Sequence, residues 1–316
     1  MDIRQLKYIM TVAECRSVSR AAEKLYISQS ALSHYIKGAE KEIGAELFDR
    51  STSPISLTHA GELYIDSAKK ILLETDSLER KIRDVNNHMT GRLVIGTSRD
   101  RASYIAPFVI PCFKEMYPNI DVSIHTAGGK ELMKDLREGK VDFAILPESQ
   151  GEDERGVSYM ELYSEEVFIT AKPGHIAPEH IGGDHDYIKF GALDKYSYIT
   201  LGHGRVTRTY MDQLFSRNGF DLKIAMEMDS NIGCYRMSST GLGIALVPIQ
   251  TISMSRSDFP VEILRIGENG ALWAVRCYYR KGAYLGRPEL DLLEIVRIKL
   301  SEVVDKTISD KSYRMR

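Results

Sequence analysis

Residues 17–50 read SVSRAAEKLYISQSALSHYIKGAEKEIGAELFDR, and the spacing of their apolar residues decides the first part of the fold. Residues 17–19 offer a stop for one helix and an N-cap for the next, and residues 20–25 then form a short helix. Tyr26 and Ile27 make a tight connection. Ser28 is a candidate N-cap, Leu32, Ile36, Ala39 and Ile43 line one face of a further helix, and Gly44 can close it. Upstream, Ile3, Leu6, Ile9, Met10 and Ala13 recur at helical spacing. Downstream, Leu47, Phe48 and Arg50 lead into Ser51, Thr52, Ser53 and Pro54, followed by Ile55, Ser56 and Leu57. This is a polar turn between two short extended runs. The sum is a helix-turn-helix followed by a β wing.

The outward face of the second helix of that motif carries Gln29, Ser30, Ser33, His34 and Lys37. All can hydrogen-bond. Glutamine can bridge N6 and N7 of adenine in a major groove, and serine can meet several bases. A solvated polar face is the alternative reading, and it weakens because the helix stands within a motif. Residues 1–58 hold 8 Lys and Arg against 7 Asp and Glu, so charge adds little. Phosphate contact then rests on local placement of Arg20, Lys37, Arg50 and the hydroxyls of Ser51, Thr52 and Ser53, with Glu40 and Glu42 turned away.

Residues 59–88 contain no proline and follow Thr58, a reasonable N-cap, so one long helix is expected. Tyr64, Ala68, Ile71, Thr75, Leu78, Ile82 and Val85 alternate in steps of four and three, which is the seam of a two-stranded coiled coil. A seam requires a partner; the alternative is a helix packed on its own chain. From residue 91 the pattern changes to alternating strands and helices. Strands are expected at 93–97, 122–126, 141–146, 167–171, 197–201, 224–228 and 244–247, with helices at 105–117, 130–138, 209–218 and 230–240. Two late strands, 261–266 and 271–279, and a final helix over 288–304 let the chain return to the first of two α/β lobes. Such double crossing makes a hinged cleft.

The whole sequence, 316 residues with a net charge of −2, has the composition of a multi-domain globular protein. Its apolar stretches fall short of the ~20 residues of a membrane helix. The first ten residues carry Asp2, Arg4 and Lys7, unlike a secretory signal, so a cytoplasmic protein is expected. Cys15, Cys112, Cys234 and Cys277 form no C-x-x-C pair, and the eight histidines form no H-E-x-x-H, so neither a metal nor a cofactor is expected. A G-x-G at residues 202–204 lacks the third glycine of a dinucleotide fingerprint. No nucleophile and base can be assembled by spacing, which argues against an enzyme.

Ser17, Ala21, Ala22, Leu25, Ser28, Gln29, Ser30, Ala31, Leu32, Ser33, Ile36, Glu40, Gly44, Leu47, Phe48 and Arg50 reproduce, with spacing, a signature that resembles the LysR-type transcriptional regulators. Leu57, Thr58, Ala60 and Gly61, then Gly91, Leu93, Ile95 and Gly96, and later Gly241, Leu242, Gly243, Ile244, Ala245 and Pro248, extend the resemblance along the whole chain. Ala39 and His34 depart from it, where leucine and arginine are usual. The resemblance implies an α/β protein with an N-terminal all-α winged helix-turn-helix over residues 1–58 and a linker and dimerisation helix over 59–90. A two-lobed, periplasmic-binding-protein-like effector domain would follow over 91–306, with lobe I at about 91–162 and 267–306 and lobe II at about 163–266. It also implies a homodimer assembling to a homotetramer on double-stranded promoter DNA, with contact to RNA polymerase. Base contacts carry over to Gln29, Ser30, Ser33 and His34, and backbone contacts to Lys37, Arg50 and Ser53. A solute-binding receptor without DNA-linked function is the alternative; it leaves the helix-turn-helix and the heptads without use.

In open α/β lobes, ligands gather beyond the carboxyl ends of strands. The loops there hold Ser98, Arg99 and Arg101, then Gly128, Pro147, Thr200, His203 and Asn231. The family resemblance singles out Ser98 and Thr200, expected to face each other from opposite lobes. Arg99, Arg101, Arg205 and Arg208 suggest an anionic effector, although surface charge or subunit contact explains each as well.

Overall fold

The computed structural model describes residues 2–85, 90–148, 155–255, 257 and 259–309, with side chains described outside Val85 and residues 303–309. The chain forms two compact units, residues 1–86 and 87–316.

In the first unit each helix starts at a side-chain cap that satisfies an orphan backbone N–H. Asp2 accepts from Gln5 N–H at the start of α1 (Ile3–Cys15), Ser17 from Arg20 N–H before α2 (Val18–Lys24), and Ser28 from Ala31 N–H before α3 (Gln29–Ile43). Gly44 ends α3 at φ 76°, a left-handed conformation that glycine adopts without cost. The wing is a minimal antiparallel pair, β1 (Phe48–Asp49) and β2 (Ser56–Leu57). Thr58 donates its hydroxyl to Glu46 O at 2.6 Å and accepts from Gly61 N–H at 3.0 Å, tying the wing to α4 (His59–Val85). Gly61 is there because helix and wing almost touch: a Cβ would stand 2.0 Å from Leu47 O. Ile9, Val12, Leu32, Ile36, Leu47 and Phe48 are buried together, and Ile65 of α4 joins them. At ~1.5–3 kcal/mol for each large apolar side chain buried, this cluster is what holds three short helices in register.

The second unit is built on one continuous sheet. On one side β3 (Gly91–Thr97), α5 (Arg99–Met116), β4 (Ile120–Thr126), α6 (Gly129–Arg137) and β5 (Phe143–Pro147) form the parallel core of lobe I. The chain then enters β6 (Val157–Ala171), passes the short pair β7 (Ile181–Gly182) and β8 (Tyr187–Ile188), and builds lobe II. That lobe comprises β9 (Ser197–Leu201), α7 (Val206–Arg217), β10 (Lys223–Met228), α8 (Asn231–Ser238), β11 (Ile244–Pro248), α9 (Ile249–Met254) and β12 (Glu262–Ile266). The return is β13 (Ala271–Arg280), and α10 (Arg287–Ser309) follows. Strand order is β10-β9-β11-β6-β13-β5-β3-β4. Strands β5 and β11, each between one parallel and one antiparallel neighbour, are buried along their whole length.

The lobes meet along β6 and β13, which pair antiparallel from Ala271↔Val167 to Arg280↔Val157 with a register shift between Val275 and Arg276. The expected division between residues 162 and 163 falls inside β6, a strand both lobes share. It begins at Val157, ten residues before the expected start. Helix α5 starts at Arg99 rather than at 105 because Ser98 is its cap and accepts from Arg101 N–H at 3.3 Å. The expected end of the long helix near residue 88 lies outside the described residues.

Candidate functional site

The N-terminal end of α3 is exposed in the first unit. Gln29, Ser30, His34 and Lys37 are open to solvent and Ser33 is half-buried, while Leu32, Ile36 and Ala39 on the opposite face are in the core. Ser19 donates to Gln29 Oε1 at 3.2 Å, which orients that amide, and the hydroxyls of Ser28 and Ser30 lie 3.1 Å apart. Tyr26, in the turn before α3, has a positive φ of 55° and is 95 % exposed. Its place in a tight connection is the one sequence signal that points to it. Ser53 is exposed in the wing. Arg50 is paired with an acid: its Nη2 lies 3.1 Å from Glu40 Oε2. Glu40 is not turned away as expected, since its other oxygen accepts from Leu47 N–H at 3.0 Å and so fixes the carboxylate beside Arg50.

The heptad residues of α4 divide into two groups. Ala68 is buried and Tyr64 half-buried, and Tyr64 packs against the apolar cluster of its own unit. Ile71, Leu78 and Ile82 are 40 %, 54 % and 51 % exposed, and Thr75 donates its hydroxyl back to Ile71 O. Of the positions expected in an intermolecular seam, the first two pack within the chain itself, and the exposed ones begin at Ile71. The Val85 side chain lies outside the described residues.

In the second unit a cleft opens between the lobes. Ser98, Arg99, Arg101, Gly128, Pro147 and Asn231, six of the eight expected effector residues, line it together. Thr200 and His203 do not. Thr200 is 2 % exposed on β9, within the sheet, and its Oγ1 has no hydrogen-bond partner among the described residues. His203 stands in solvent with its side chain 78 % exposed, 3.8 Å from Asp212. The two hydroxyls expected to face each other therefore do not both reach the cleft. On lobe II the lining hydroxyl residues are Thr207 and Thr251.

The cleft collects the starts of several helices. Ser98 opens α5, Gly128 precedes α6, Arg205 precedes α7 and Asn231 opens α8, and the caps of α6 and α7 supply no side-chain hydrogen bond. Amide N–H groups at helix starts carry partial positive charge, which favours anions. Gly128 faces lobe II, where a Cβ would make an ordinary contact of 3.5 Å with Gly204 O.

The four arginines considered for an anion behave differently. Arg101 is buried and bound: it donates to Tyr163 Oη at 2.6 Å and to Glu165 Oε2 at 2.9 Å, with its guanidinium over the Tyr104 ring. Burial acts to lower its pKa, but the Glu165 charge more than offsets this and holds the guanidinium charged. Burial also pushes the Tyr163 and Tyr104 hydroxyls up, so both stay protonated. Arg208 is committed to Asp212 and Glu227, each at 2.8 Å, and does not line the cleft. Arg99 and Arg205 line it from opposite lobes. Tyr104, Thr251 and Trp273 also line it and are not among the residues that strand ends alone point to; Trp273 is the chain's single tryptophan, a signal that the sequence did contain.

Residues 3–62 match the model of the bacterial regulatory helix-turn-helix protein, lysR family, and residues 86–301 match the LysR substrate binding domain. The chain belongs to the LysR family. Among relatives of this LysR chain is the probable RuBisCO transcriptional regulator of Trichormus variabilis, 30 % identical over 253 residues that cover 79 % of this chain and 74 % of that protein. A full-length OxyR variant from Pseudomonas aeruginosa shares the fold with a TM-score of 0.69 at 22 % identity, over 96 % of this chain and 97 % of its own. Full-length CbnR in complex with its target DNA superposes with a TM-score of 0.58 at 21 % identity, over 97 % and 100 % of the two chains. Among the described residues no helix is long and apolar enough to cross a membrane.

Proposed function

We propose that this LysR-family regulator reads promoter DNA with α3 and the wing, and that a small molecule bound in the interlobe cleft modulates that reading. The observation that carries the proposal is the pairing, in one chain, of an exposed polar start of α3 with a cleft lined from both lobes. Gln29, Ser30, Ser33 and His34 meet base edges, and Lys37 and Ser53 meet phosphates; Arg50 takes part through the outer edge of a guanidinium already anchored by Glu40.

Residues 1–58 serve as the DNA-binding part, 59–90 as the dimerisation helix and 91–306 as the effector domain. Exposed Ile71, Leu78 and Ile82 support pairing of two chains along α4. Pairs of dimers, RNA polymerase and cytoplasmic DNA complete the set of partners in this reading. The effector is held by Ser98, Arg99, Gly128, Pro147 and Asn231, with Thr207 and Thr251 in place of Thr200 and His203; Arg101 acts through Glu165 to shape the wall. A ligand touching both lobes shifts the protein between states only by its difference in affinity for them.

Footprinting on the DNA upstream of the protein's own coding region, with and without candidate metabolites, tests the proposal. A protected inverted repeat whose extent changes with one metabolite is expected. Absence of any protected sequence would remove the DNA-reading part.

A further inference from the structure

The start of α8 already holds a carboxylate. Asn231 N–H, on lobe II, donates to Asp100 Oδ2, on lobe I, at 2.7 Å. The Ser230 hydroxyl meanwhile caps the same helix by accepting from Gly233 N–H at 3.0 Å. Helix α8 thus has two oxygen acceptors on its first turn, one from its own chain neighbour and one reaching across the cleft. The cross-cleft bond joins a charged acceptor to an N–H at the positive end of a helix, the arrangement in which anion binding is favoured.

Three further polar atoms at the cleft are buried and lack partners among the described residues: Asn231 Oδ1, Arg101 Nε and Trp273 Nε1. Their residues are 8 %, 3 % and 2 % exposed, and all three line the cleft. Buried polar groups left unmet are costly, and Asn231 Oδ1, on the same residue whose N–H holds Asp100, is the one of the three at the start of α8. Arg99 and Arg205 add one guanidinium from each lobe.

From this we infer that Asp100 is an internal stand-in for the effector's acid group: the effector is a compact carboxylate that displaces the Asp100 side chain from the start of α8. The inference rests on the reading of the cleft as the effector site and adds the ligand's class and its competitor. In this structure Asp100 bridges the lobes. An incoming carboxylate takes over the Asn231 N–H, and a donor beside it on the ligand meets Asn231 Oδ1. The side chain of Asp100 then swings into solvent, exchanging one cross-cleft contact for another with a different reach. Occupancy is therefore a replacement of one anion by another, and affinity is set by how well the ligand outcompetes a tethered carboxylate.

The test uses the full-length protein and succinate as the probe, with its uncharged diamide as the control, and reads binding by calorimetry. Asp100→Asn keeps an acceptor for Asn231 but removes the charge, and succinate should bind it about tenfold more tightly than it binds the unaltered protein. The diamide should show no such gain. Asp229→Asn removes another carboxylate that lines the cleft without touching α8's first N–H, and it should change succinate affinity far less. Equal gains in both variants would show general charge repulsion and overturn the displacement. Unchanged affinity in Asp100→Asn, or no succinate binding in any of the proteins, would overturn it as well. Because no DNA is present, these outcomes bear on the cleft alone, and the footprint tests DNA reading independently of them.

Discussion

Arg101 Nη2 and Glu165 Oε2 lie 2.9 Å apart with their side chains 3 % and 0 % exposed, an ion pair sealed between a lobe I helix and a strand that both lobes share. Gln250 at the start of α9 donates its side-chain amide to the same Glu165, so the carboxylate is held from lobe II also. One buried acid therefore ties three elements from the two sides of the cleft.

Removing one member of that pair leaves a charge buried without its counterpart. Arg101→Met or Glu165→Gln should each destabilise the protein by about 3–5 kcal/mol, and the double variant should regain a large part of the loss. Urea unfolding of the three variants checks this; additive losses in the double variant would mean that the two side chains act separately.

Ser33→Ala and His34→Ala should weaken specific DNA binding while leaving the fold intact, since neither side chain belongs to the buried cluster of the first unit. Each useful base contact should be worth about 1–3 kcal/mol. Gel-shift titrations against the footprinted site, beside far-UV spectra, provide the measurement. Unchanged affinity in both variants would count against α3 as the reading element.

Much of this arrangement is legible in the sequence, for reasons that differ between regions. The caps Ser17, Ser28 and Gly44 are local signals acting on adjacent residues, and each stands where its chemistry places it. The start of β6 is hidden because Glu161, Glu165 and Glu166 interrupt its apolar alternation; Glu165 and Glu166 are buried by partners distant in sequence, Arg101 and Arg265. The first turn of α5 is hidden because Arg99, Asp100, Arg101 and Ser103 carry no apolar periodicity ahead of Tyr104 and Ile105, so only the Ser98 cap marks it. In the cleft, strand ends locate six lining residues, but the inward facing of Thr200 depends on pleat and depth, which no short motif encodes.

The heptad of α4 makes a divided prediction. Leu78→Asp or Ile82→Asp should separate the dimer without unfolding either chain, because a carboxylate in an apolar seam loses hydration and gains no partner. Ala68→Asp should instead unfold the first unit, where Ala68 is 1 % exposed. Sedimentation combined with thermal melting distinguishes the two outcomes; loss of folding in all three variants would place the whole helix against its own chain.

Asp135 should give the second unit a sensitivity to acid. Burial acts to raise its pKa, but hydrogen bonds from Lys140 at 3.0 Å and His125 at 2.9 Å outweigh that and hold it below the ordinary 3.8. The folded value being the lower one, the stabilisation is complete above the ordinary value and is lost as pH falls through the folded value. Asp135→Asn should flatten the dependence of unfolding free energy on pH in that acidic window and leave the slope near neutrality unchanged. Denaturant titrations across the acid range test this, and an unaltered slope would assign it to other carboxylates.

The long ladder between β6 and β13 makes the connection between the lobes behave as a torsion bar. Two strands hydrogen-bonded along their length cannot swivel like a pair of loose threads; they can only wind or unwind together. The irregularity between Val275 and Arg276 is the place where added winding is easiest, because a bulge already disrupts the ladder and increases the local twist. Any change in the angle between the lobes must therefore pass through a twist shared by both strands, with the hydrogen bonds of the ladder resisting it as the windings of a cord resist untwisting.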